Sequence, residues 1–255
     1  MRKQRIREVP AVSRAIAILR LLGNSPDPMG ITTIAKALSL VPSTCLHILR
    51  VLVAEGLVKV DGDSKRYTLD SGMLSLARSV IERSSFASLA QPALDRMAQA
   101  WSVTTMGVEI QNDEYMVVLA LSRSTMPFAL RTDVGRRFPA LVSATGRLYA
   151  AFGGQSWPQL RKRFAALRWS RPIDFVRWKA EVEMAGKQGF SVDRGHFING
   201  VTVVSVPLLG GSGKLERALV GVGLSEHLDP AKLSGLVEEM RQEARRLATL
   251  VLPSV

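Results

Sequence analysis

The sequence contains little cysteine and little histidine, which argues against several classes of protein. Its 255 residues include one cysteine, Cys45, and three histidines, His47, His196 and His227. A single cysteine cannot form a disulfide within the chain, and this favours a reducing, cytoplasmic setting. Because no histidine shares a metal-ligand spacing with the cysteine, we expect no metal site, and no cofactor motif is convincing.

Long apolar runs and acidic residues are also scarce. No segment approaches the roughly 20 apolar residues of a membrane span, and no apolar stretch follows the N-terminal charges as in a signal peptide. We therefore expect no membrane association and no export. The 22 acidic residues are outnumbered by 34 lysines and arginines, for a net charge of +12. Such a charge predicts attraction to polyanions, of which nucleic acid is the commonest in a cytoplasm.

The basic residues are concentrated near the N-terminus. Residues 1–70 hold 11 Lys/Arg and 6 Asp/Glu. The first 20 residues have Glu8 as their one acid, against Arg2, Lys3, Arg5, Arg7, Arg14 and Arg20. This composition is typical of a flexible basic arm. Basic termini are common, so composition leaves open whether the arm contacts DNA.

A helix-turn-helix is predicted before Glu55. Ser13 is a candidate cap for a first helix, and Thr32 or Thr33 for a second, "TTIAKALSL". About four residues later a third helix begins at Pro42, since proline suits the first helical turn. Its apolar residues repeat at helical spacing and form one stripe: Cys45, Ile48, Leu49 and Leu52. Two short helices joined by a tight turn are the signature of a helix-turn-helix.

The segments after Gly56 predict a β-hairpin. "LVKV" and "RYTL" are short strand candidates on either side of "DGDSK", whose aspartates and glycine suit a turn. The hairpin would form the wing of a winged helix-turn-helix. Its tip carries Lys65 and Arg66, where both could reach a phosphate backbone.

The second stripe of the helix at Pro42 is the candidate DNA-reading face. It consists of Ser43, Leu46, His47 and Arg50. We expect Ser43 and Thr44 to bond phosphate at the helix N-terminus, His47 and Arg50 to donate to guanine, and Leu46 to pack on a thymine methyl. The predicted partner is double-stranded operator DNA. The alternative is a winged helix that binds protein, with Arg50 a solvated charge.

The remainder of the chain predicts an α+β domain. Residues 1–70 form the basic arm and winged helix-turn-helix, residues 71–84 a linker helix, and residues 85–255 the α+β domain. That domain is predicted to contain helices at "FASLAQPALDRMAQAW", from Ser143, near 157–168 and 174–187, and from Pro230 to Leu250, with strands at "TTMGVEI", "YMVVLALS" and "FALRT" and near 189–193, 201–208 and 217–224.

The helix predicted from Ser143 suggests a small-ligand site. Its start would present the backbone amides of Ala144, Thr145 and Gly146 to an anion. Other polar groups and an apolar wall complete the candidate site: Asp193, His196, Asn199, Ser205, Leu141 and Val204. Each residue has an ordinary alternative, with Ser143 a simple N-cap, Gly146 a helix-packing residue and His196 a surface loop residue.

Enzyme motifs are weak throughout the chain. "SATGRL" lacks the nucleophile-elbow pattern, and "GGSGK" is better explained as a β-turn than as a phosphate loop. Asp193 and His196 have no evident nucleophile beside them, so we predict that the chain is not an enzyme. The alternative hypothesis is a metabolite-binding or catalytic C-terminal domain whose winged helix mediates protein contact.

A second basic cluster has two interpretations. The segment "RKRFAALRWSR" contains no acid and carries Arg161, Lys162, Arg163, Arg168 and Arg171. It is either a solvated helix face or subunit contact, or a surface for DNA or an acidic neighbour.

A series of motifs resembles one family in order and spacing over nearly the whole chain. They are "VSRAIAILRLL", "ITTIAKAL", "VPSTCLHILRVLVAEGLV", "RYTLDSGMLSLA", "FPALVSATGRLYAAF", "KQGFSVD" and "NGVTVVSVPL". Their succession resembles the IclR family of bacterial transcriptional regulators. The resemblance implies an N-terminal winged helix-turn-helix, a linker helix and a C-terminal GAF-like domain that binds a small effector, often an organic acid or an aromatic breakdown product. It also implies a homodimer or homotetramer.

The chain departs from the family pattern at two places. His47 stands where these regulators commonly have an arginine in the recognition helix, so the base read there is expected to differ. After "FSVD" the family tends to have an acidic residue and, further on, a cysteine. Here Arg194, His196 and Ser205 occupy that region, which makes the pocket less familiar and its ligand harder to name.

Overall fold

The structure is a computed structural model that describes residues 9–83, 85–123 and 132–251. The chain divides into two compact units, Met1–Arg83 and Ser84–Val255, each with its own core. Among the described residues no single helix has the length and apolar composition of a membrane span. Two short helices, Ile31–Ala37 and Pro42–Ala54, reach that composition only together, across a bend of 112°.

The first unit is a winged helix-turn-helix. Its elements in chain order are α1 Pro10–Gly23, β1 Met29–Gly30, α2 Ile31–Ala37, α3 Pro42–Ala54, β2 Val58–Val60, β3 Arg66–Leu69 and α4 Gly72–Arg83. The strands form an antiparallel sheet in the order β1-β3-β2. The two-residue strand β1 was not predicted, because it is too short to show a periodic pattern.

The apolar stripe of α3 forms the centre of this unit. Cys45 and Leu49 are fully buried, Leu52 is nearly so, and they pack against Ile18 of α1 and Ile34 of α2. Ile48 is half-buried at the edge of the stripe. The predicted inward face of α3 is therefore confirmed, and the opposite stripe is left at the surface.

The predicted caps of α1 and α2 are wrong. The first helix begins at Pro10 after Val9, and the amide of Ser13 donates to the carbonyl of Val9, which places Ser13 inside the first turn. The second helix follows Gly30, so Thr32 and Thr33 lie within it. The residues that precede these helices, Val9 and Gly30, are extended and carry no hydroxyl group. A prediction based on hydroxyl caps therefore places the start of each helix too late. Pro42 does begin α3, as predicted.

The predicted wing hairpin is confirmed, and Asp61 shapes its tip. The Asp61 carboxylate accepts from the Ser64 amide at 2.7 Å and from the Ser64 hydroxyl at 2.6 Å. Across the turn the Asp61 amide donates to the Arg66 carbonyl at 2.9 Å. Lys65 adopts a left-handed backbone with φ of 53°. The tip is thus a tight turn held by local bonds.

The second unit is an α+β domain built on one sheet. Its elements in chain order are α5 Ser85–Trp101, β4 Thr104–Gln111, β5 Tyr115–Leu121, β6 Arg137–Pro139, α6 Ser143–Phe152, α7 Trp157–Phe164, α8 Phe175–Gln188, β7 Ser191–Arg194, β8 Val201–Leu209, β9 Leu215–Leu224 and α9 Pro230–Val251. The predicted α+β class is confirmed. The predicted strand "FALRT" falls mostly on residues 124–131, outside the described residues.

The sheet separates two apolar cores. Its six antiparallel strands run in the order β6-β5-β4-β9-β8-β7. Alternate residues of β8 point to opposite faces, as the period of a strand requires. Val204 and Val206 join the core beneath α5 and α9, whereas Val201 and Val203 join the core that contains the start of α6. Trp178 of α8 lies in a third cluster beside α6.

The first turn of α6 lies against the preceding chain. A Cβ atom added to Gly146 would fall 2.1 Å from the Leu141 carbonyl carbon and 2.2 Å from its oxygen. Both are backbone atoms, which cannot move aside as a flexible side chain can. Glycine at this position therefore serves close packing, and this supports the ordinary alternative for Gly146.

We predict that Gly146→Ala destabilises the second unit by about 3 kcal/mol, because overpacking a closed backbone contact forces a local shift. All four tryptophans, Trp101, Trp157, Trp169 and Trp178, belong to this unit, so urea unfolding followed by tryptophan fluorescence reports on it alone.

The matched control is Gly186→Ala within α8, where the added Cβ would meet only Ala151 Cβ at 3.5 Å. Alanine is the better helix former, so this variant should gain about 0.5 to 1 kcal/mol. Equal stabilities of the two variants would contradict the close approach of α6 to Leu141.

Candidate functional site

The exposed stripe of α3 presents most of the predicted DNA-binding residues on one side of the first unit. Ser43, His47 and Arg50 are exposed, and Thr44 and Leu46 are half-exposed. Cys45 and Leu49 anchor the opposite side in the core, which orients the stripe outward. The arrangement suits a helix that enters a groove, since its N-terminal half carries hydroxyl, imidazole and guanidinium groups.

The two basic side chains of the wing tip, Lys65 and Arg66, differ in their contacts. Lys65 is exposed at the turn. The guanidinium of Arg66 donates from Nη1 to the carbonyl of Pro28 at 3.2 Å, which ties the wing to the segment before β1. An open surface groove lies between residues 25–33 and residues 64–66. Sequence reasoning missed this groove, because it is formed by segments more than 30 residues apart.

The second unit contains a partly open cavity beside the start of α6, and the space inside it and in its mouth is together about 450 Å³. Its wall is mostly apolar and is formed by Met106, Val108, Met116, Phe138, Val142, Ser143, Thr145, Phe197, Ile198, Val203, Val220 and Val222. The described lining includes no lysine, arginine or carboxylate. A mostly apolar cavity with few polar groups is typical of a small-molecule site.

Ser143 is the exceptional residue in this wall. Its side chain is buried, with 6% of the residue exposed, and its Oγ has no hydrogen-bond partner among the described residues. It is not an N-cap: it lies inside α6 after Val142, in a left-handed conformation with φ of 62°. A buried, unpaired hydroxyl is unfavourable, and such strained, unsatisfied groups concentrate at functional positions.

Thr145, in the first turn of α6, also lines the cavity. The amides of Ser143, Ala144 and Thr145 precede the first intrahelical bond and have no acceptor within the helix. The amide of Gly146 donates to the Val142 carbonyl at 2.9 Å, so the expectation that it faces an anion is wrong. The Thr145 hydroxyl donates to Ser205 Oγ at 3.1 Å. Ser205 therefore contacts a residue of the cavity wall but does not itself line the cavity.

Several other predicted ligand residues lie away from the cavity wall. Leu141 packs in the cluster beside α8, and Val204 packs on the other face of the sheet. They cannot form the apolar wall that was expected, because strand register and helix packing turn them elsewhere. Asn199 is exposed in the loop before β8. The sequence missed Met106, Met116 and Phe138, since nothing local indicates which strand face meets the cavity.

Asp193 is engaged in a buried ion pair with Arg147, a residue that sequence reasoning missed. Arg147 is 1% exposed and Asp193 is fully buried, and Arg147 Nη2 lies 3.1 Å from Asp193 Oδ1. Arg147 Nε also bonds Glu181 Oε2 at 2.7 Å, and Nη1 donates to the Ser143 carbonyl at 2.8 Å. The other Asp193 oxygen accepts from the Phe197 amide at 2.9 Å.

His196 is buried beside this ion pair and is not a surface residue. It is 4% exposed, and its Nδ1 lies 3.4 Å from Asp193 Oδ1 without a hydrogen bond to any described residue. Burial lowers the pKa of His196, and the nearby Asp193 carboxylate opposes this effect only in part. The imidazole is therefore held in its neutral form near pH 7.

The second basic cluster is partly committed to the fold of its own unit. Arg163 Nη1 bonds Gln155 Oε1 at 2.6 Å, and Arg171 Nη2 donates to the Arg194 carbonyl at 2.6 Å. The Arg161 guanidinium lies 5.6 Å from the centre of the Phe175 ring. No group of three or more histidine, cysteine or carboxylate side chains in the described ranges could hold a metal ion.

We expect the second unit to lose stability as pH falls from 7.5 to 5.5. The folded pKa of His196 lies below its unfolded value of about 6.5, so the unfolded chain binds more protons through this window and acidification favours it. Urea unfolding at several pH values, followed by tryptophan fluorescence, should show the loss, and His196→Gln should reduce it. His227→Gln changes an exposed residue and serves as control. An unchanged pH dependence in His196→Gln would show that the histidine titrates normally.

Two family models match the chain along most of its length. The IclR helix-turn-helix domain matches residues 11–62, and the C-terminal domain of bacterial transcriptional regulator IclR matches residues 78–249. Curated relatives include the DNA-binding transcriptional repressor YiaJ of Escherichia coli, 21% identical over 96% of this chain and 89% of the relative. The glycerol operon regulatory protein of Streptomyces griseus is 26% identical, over 79% of this chain and 80% of the relative.

Solved structures share the fold. An IclR-type regulator from Alicyclobacillus acidocaldarius matches with a TM-score of 0.83 and 21% identity, over 95% of this chain and 98% of that one. An IclR homologue complexed with 4-hydroxybenzoate, from Microbacterium hydrocarbonoxydans, matches with a TM-score of 0.75 and 18% identity, over 94% and 98%. The curated relatives are named as regulators, which agrees with the prediction that the chain is not an enzyme. The chain belongs to the IclR family of transcriptional regulators, with an N-terminal DNA-binding domain and a C-terminal ligand-binding domain.

Proposed function

We propose that this regulator responds to a small carboxylic acid with an apolar, aromatic body, bound in the cavity of the second unit. The observation that carries the proposal is the unpaired, buried hydroxyl of Ser143 at the start of α6, in an otherwise mostly apolar wall. The proposal retains Ala144 and Thr145 from the sequence-based ligand site, adds Ser143, and places Ser205 behind them.

The polar end of the cavity suits a carboxylate. The first-turn amides of α6 carry the positive end of the helix dipole, and Ser143 adds a hydroxyl donor. Since the described lining contains no lysine or arginine, the anion would be held by neutral donors alone. Such an arrangement favours one carboxylate over a phosphate or a dicarboxylate, whose larger charge would be harder to desolvate.

The remaining wall suits a ring. The ring centroids of Phe138 and Phe197 lie 6.4 Å apart, and the two rings pack edge to face. The thioethers of Met106 and Met116 belong to the same wall. Thioethers and aromatic edges pack favourably on aromatic rings. The structural relative that holds 4-hydroxybenzoate supports this class of ligand.

The exposed stripe of α3 is the proposed base-reading surface. Arg50 and His47 would donate to base edges, Leu46 would contact a thymine methyl, and Ser43 and Thr44 would bond phosphate at the helix N-terminus. Lys65 would contact phosphate from the wing. Arg66 has a positioning role as well, because it bonds the Pro28 carbonyl.

We infer a homodimer, or a homotetramer of two dimers, acting on paired half-sites in the cytoplasm. One recognition helix contacts few base pairs, and two half-sites multiply specificity. The surface of α1 supports this inference. Its apolar residues Val12 and Ile16 are 55% and 40% exposed, and Val9 before the helix is 58% exposed, so a second subunit could bury them. Effector binding would shift the population between arrangements that differ in DNA affinity.

The proposal is tested by titrating the purified protein with DNA flanking its own gene, at several salt concentrations and against random DNA. A steep salt dependence and a preference for the flanking DNA are expected. Addition of benzoate or 4-hydroxybenzoate should then change the affinity. Equal affinity for flanking and random DNA would contradict operator recognition.

Substitutions should separate base contacts from phosphate contacts. Arg50→Ala should cost about 1 to 3 kcal/mol on the operator and reduce discrimination between operator variants, because a base contact is lost. Lys65→Ala should weaken binding to all sequences alike and reduce the salt slope by about 1. Both are measured by fluorescence anisotropy across salt concentrations.

The charge-matched control is Lys162→Ala in the second unit, which removes the same charge from the second basic cluster. It should leave operator binding unchanged. An equal loss in Lys162→Ala and Lys65→Ala would contradict a specific role of the wing, because net charge or the second basic cluster would then contribute as much to affinity.

Ser143→Ala should lower affinity for a bound aromatic carboxylate about tenfold, because one hydrogen bond to a charged group is lost. Isothermal titration calorimetry measures the change. Thr202→Val is the control, since Thr202 is also buried and its hydroxyl bonds Ser225 outside the cavity wall. Wild-type affinity in Ser143→Ala would exclude the Ser143 hydroxyl as a donor to the carboxylate and so remove the observation that carries the proposal.

A further inference from the structure

We propose that the buried ion pair between Arg147 and Asp193 is a brace that holds two sides of the cavity at a fixed separation. The two residues are then positioning residues, which set ligand affinity without contacting the ligand. The consequence for ligand affinity rests on the proposed function of the cavity, whereas the brace itself rests only on contacts within the protein. Both contacts of the brace with the cavity wall are made to backbone atoms.

The first end of the brace fixes the start of α6. Arg147 Nη1 donates to the Ser143 carbonyl at 2.8 Å, one turn earlier in the helix. Ser143 has a φ of 62°, in the left-handed region that is unfavourable for a residue with a side chain. A bond from a buried guanidinium to its carbonyl opposes relaxation of that backbone. The Ser143 hydroxyl is thereby kept in the cavity wall.

The second end fixes the loop between β7 and β8. Asp193 Oδ2 accepts from the Phe197 amide at 2.9 Å, and Phe197 and Ile198 line the cavity. Gly195 and Gly200 flank these residues with φ of 78° and 74°. The Arg171 amide also bonds the His196 carbonyl at 3.1 Å, outside the wall. The bond from the Phe197 amide to Asp193 thus holds a residue of the cavity wall itself, whereas the bond from Arg171 holds its neighbour His196.

The ion pair joins the two ends. Arg147 Nη2 lies 3.1 Å from Asp193 Oδ1, so Ser143 and Phe197 are linked through two side chains that are both buried. Glu181 of α8 is a third member, 2.7 Å from Arg147 Nε. Apolar residues could fill this space with equal or greater stability, because buried charges lose their hydration. What the ion pair supplies instead is fixed geometry, through bonds with defined directions.

The brace also explains the environment of His196. Its Nδ1 lies 3.4 Å from the same Asp193 oxygen that faces Arg147. Asp193 therefore meets Arg147, His196 and the Phe197 amide, while Arg171 and Glu181 are further charged groups near the imidazole. A change in any of these partners acts on the carboxylate that holds the wall.

The test compares amide hydrogen exchange, measured by NMR on the full chain without ligand, in wild type, Asp193→Asn and Arg147→Lys. Asparagine keeps the shape of Asp193 but loses the charge, and lysine keeps the charge of Arg147 but lacks the planar fork that bonds three acceptors at once. We expect exchange of the Phe197 and Gly146 amides to rise about tenfold in Asp193→Asn and less in Arg147→Lys.

The control is Glu243→Gln in α9. Glu243 is a buried carboxylate that bonds Arg96 and Arg246 in the same unit, on the face of the sheet away from the cavity. A general loss of stability would raise exchange similarly in this control and in the brace variants. That result would overturn the proposal. If Asp193→Asn does not fold, the comparison of Arg147→Lys with Glu243→Gln decides the question.

Affinity for benzoate and 4-hydroxybenzoate provides the second readout. If wild type binds either acid, both brace variants should lose affinity, by about tenfold for Asp193→Asn, while Glu243→Gln stays near wild type. Unchanged affinity in the brace variants would overturn the role assigned to the ion pair. If wild type binds neither acid, the proposed ligand class fails, and the exchange rates alone still support or overturn the brace.

Discussion

The burial of Arg147 is the constraint on which the second unit depends. A guanidinium removed from water must meet acceptors on several sides, and here they come from α6, α8 and β7. Bonds to Ser143, Glu181 and Asp193 therefore fix these three elements relative to one another. The cavity lies beside this junction, so the bonds of Arg147 hold the polar end of the cavity in place.

The two units use amphipathic elements in opposite ways. In the first unit, α3 buries Cys45 and Leu49 and leaves a polar stripe at the surface, where it can meet a large charged partner. In the second unit, β8 is buried on both faces, so an apolar residue such as Val203 can enclose a small ligand. The two proposed contacts, with DNA at the surface of α3 and with an effector inside the cavity, rest on this difference.

The winged helix-turn-helix was largely predictable, because its pattern is local. The spacing of the α3 stripe and the turn before Arg66 depend on neighbours a few residues away. The cavity was not predictable to the same degree. Val204 was expected in its wall, but it and Val203 point to opposite faces, and only strand pairing decides which face meets α6. Arg147 gave no signal because its partners are 34 and 46 residues away.

The sequence by itself determined the family, the order of the two domains, the exposed stripe of α3 and the region that contains the start of α6. These follow from periodicity, turn residues and ordered motifs, all of which are short-range features. The tertiary structure decided that Ser143 is an unpaired wall residue, that Gly146 serves packing and that Asp193 is occupied by Arg147. Contacts between distant segments determine burial, and burial determines whether a polar group is free to bind a ligand or is already satisfied.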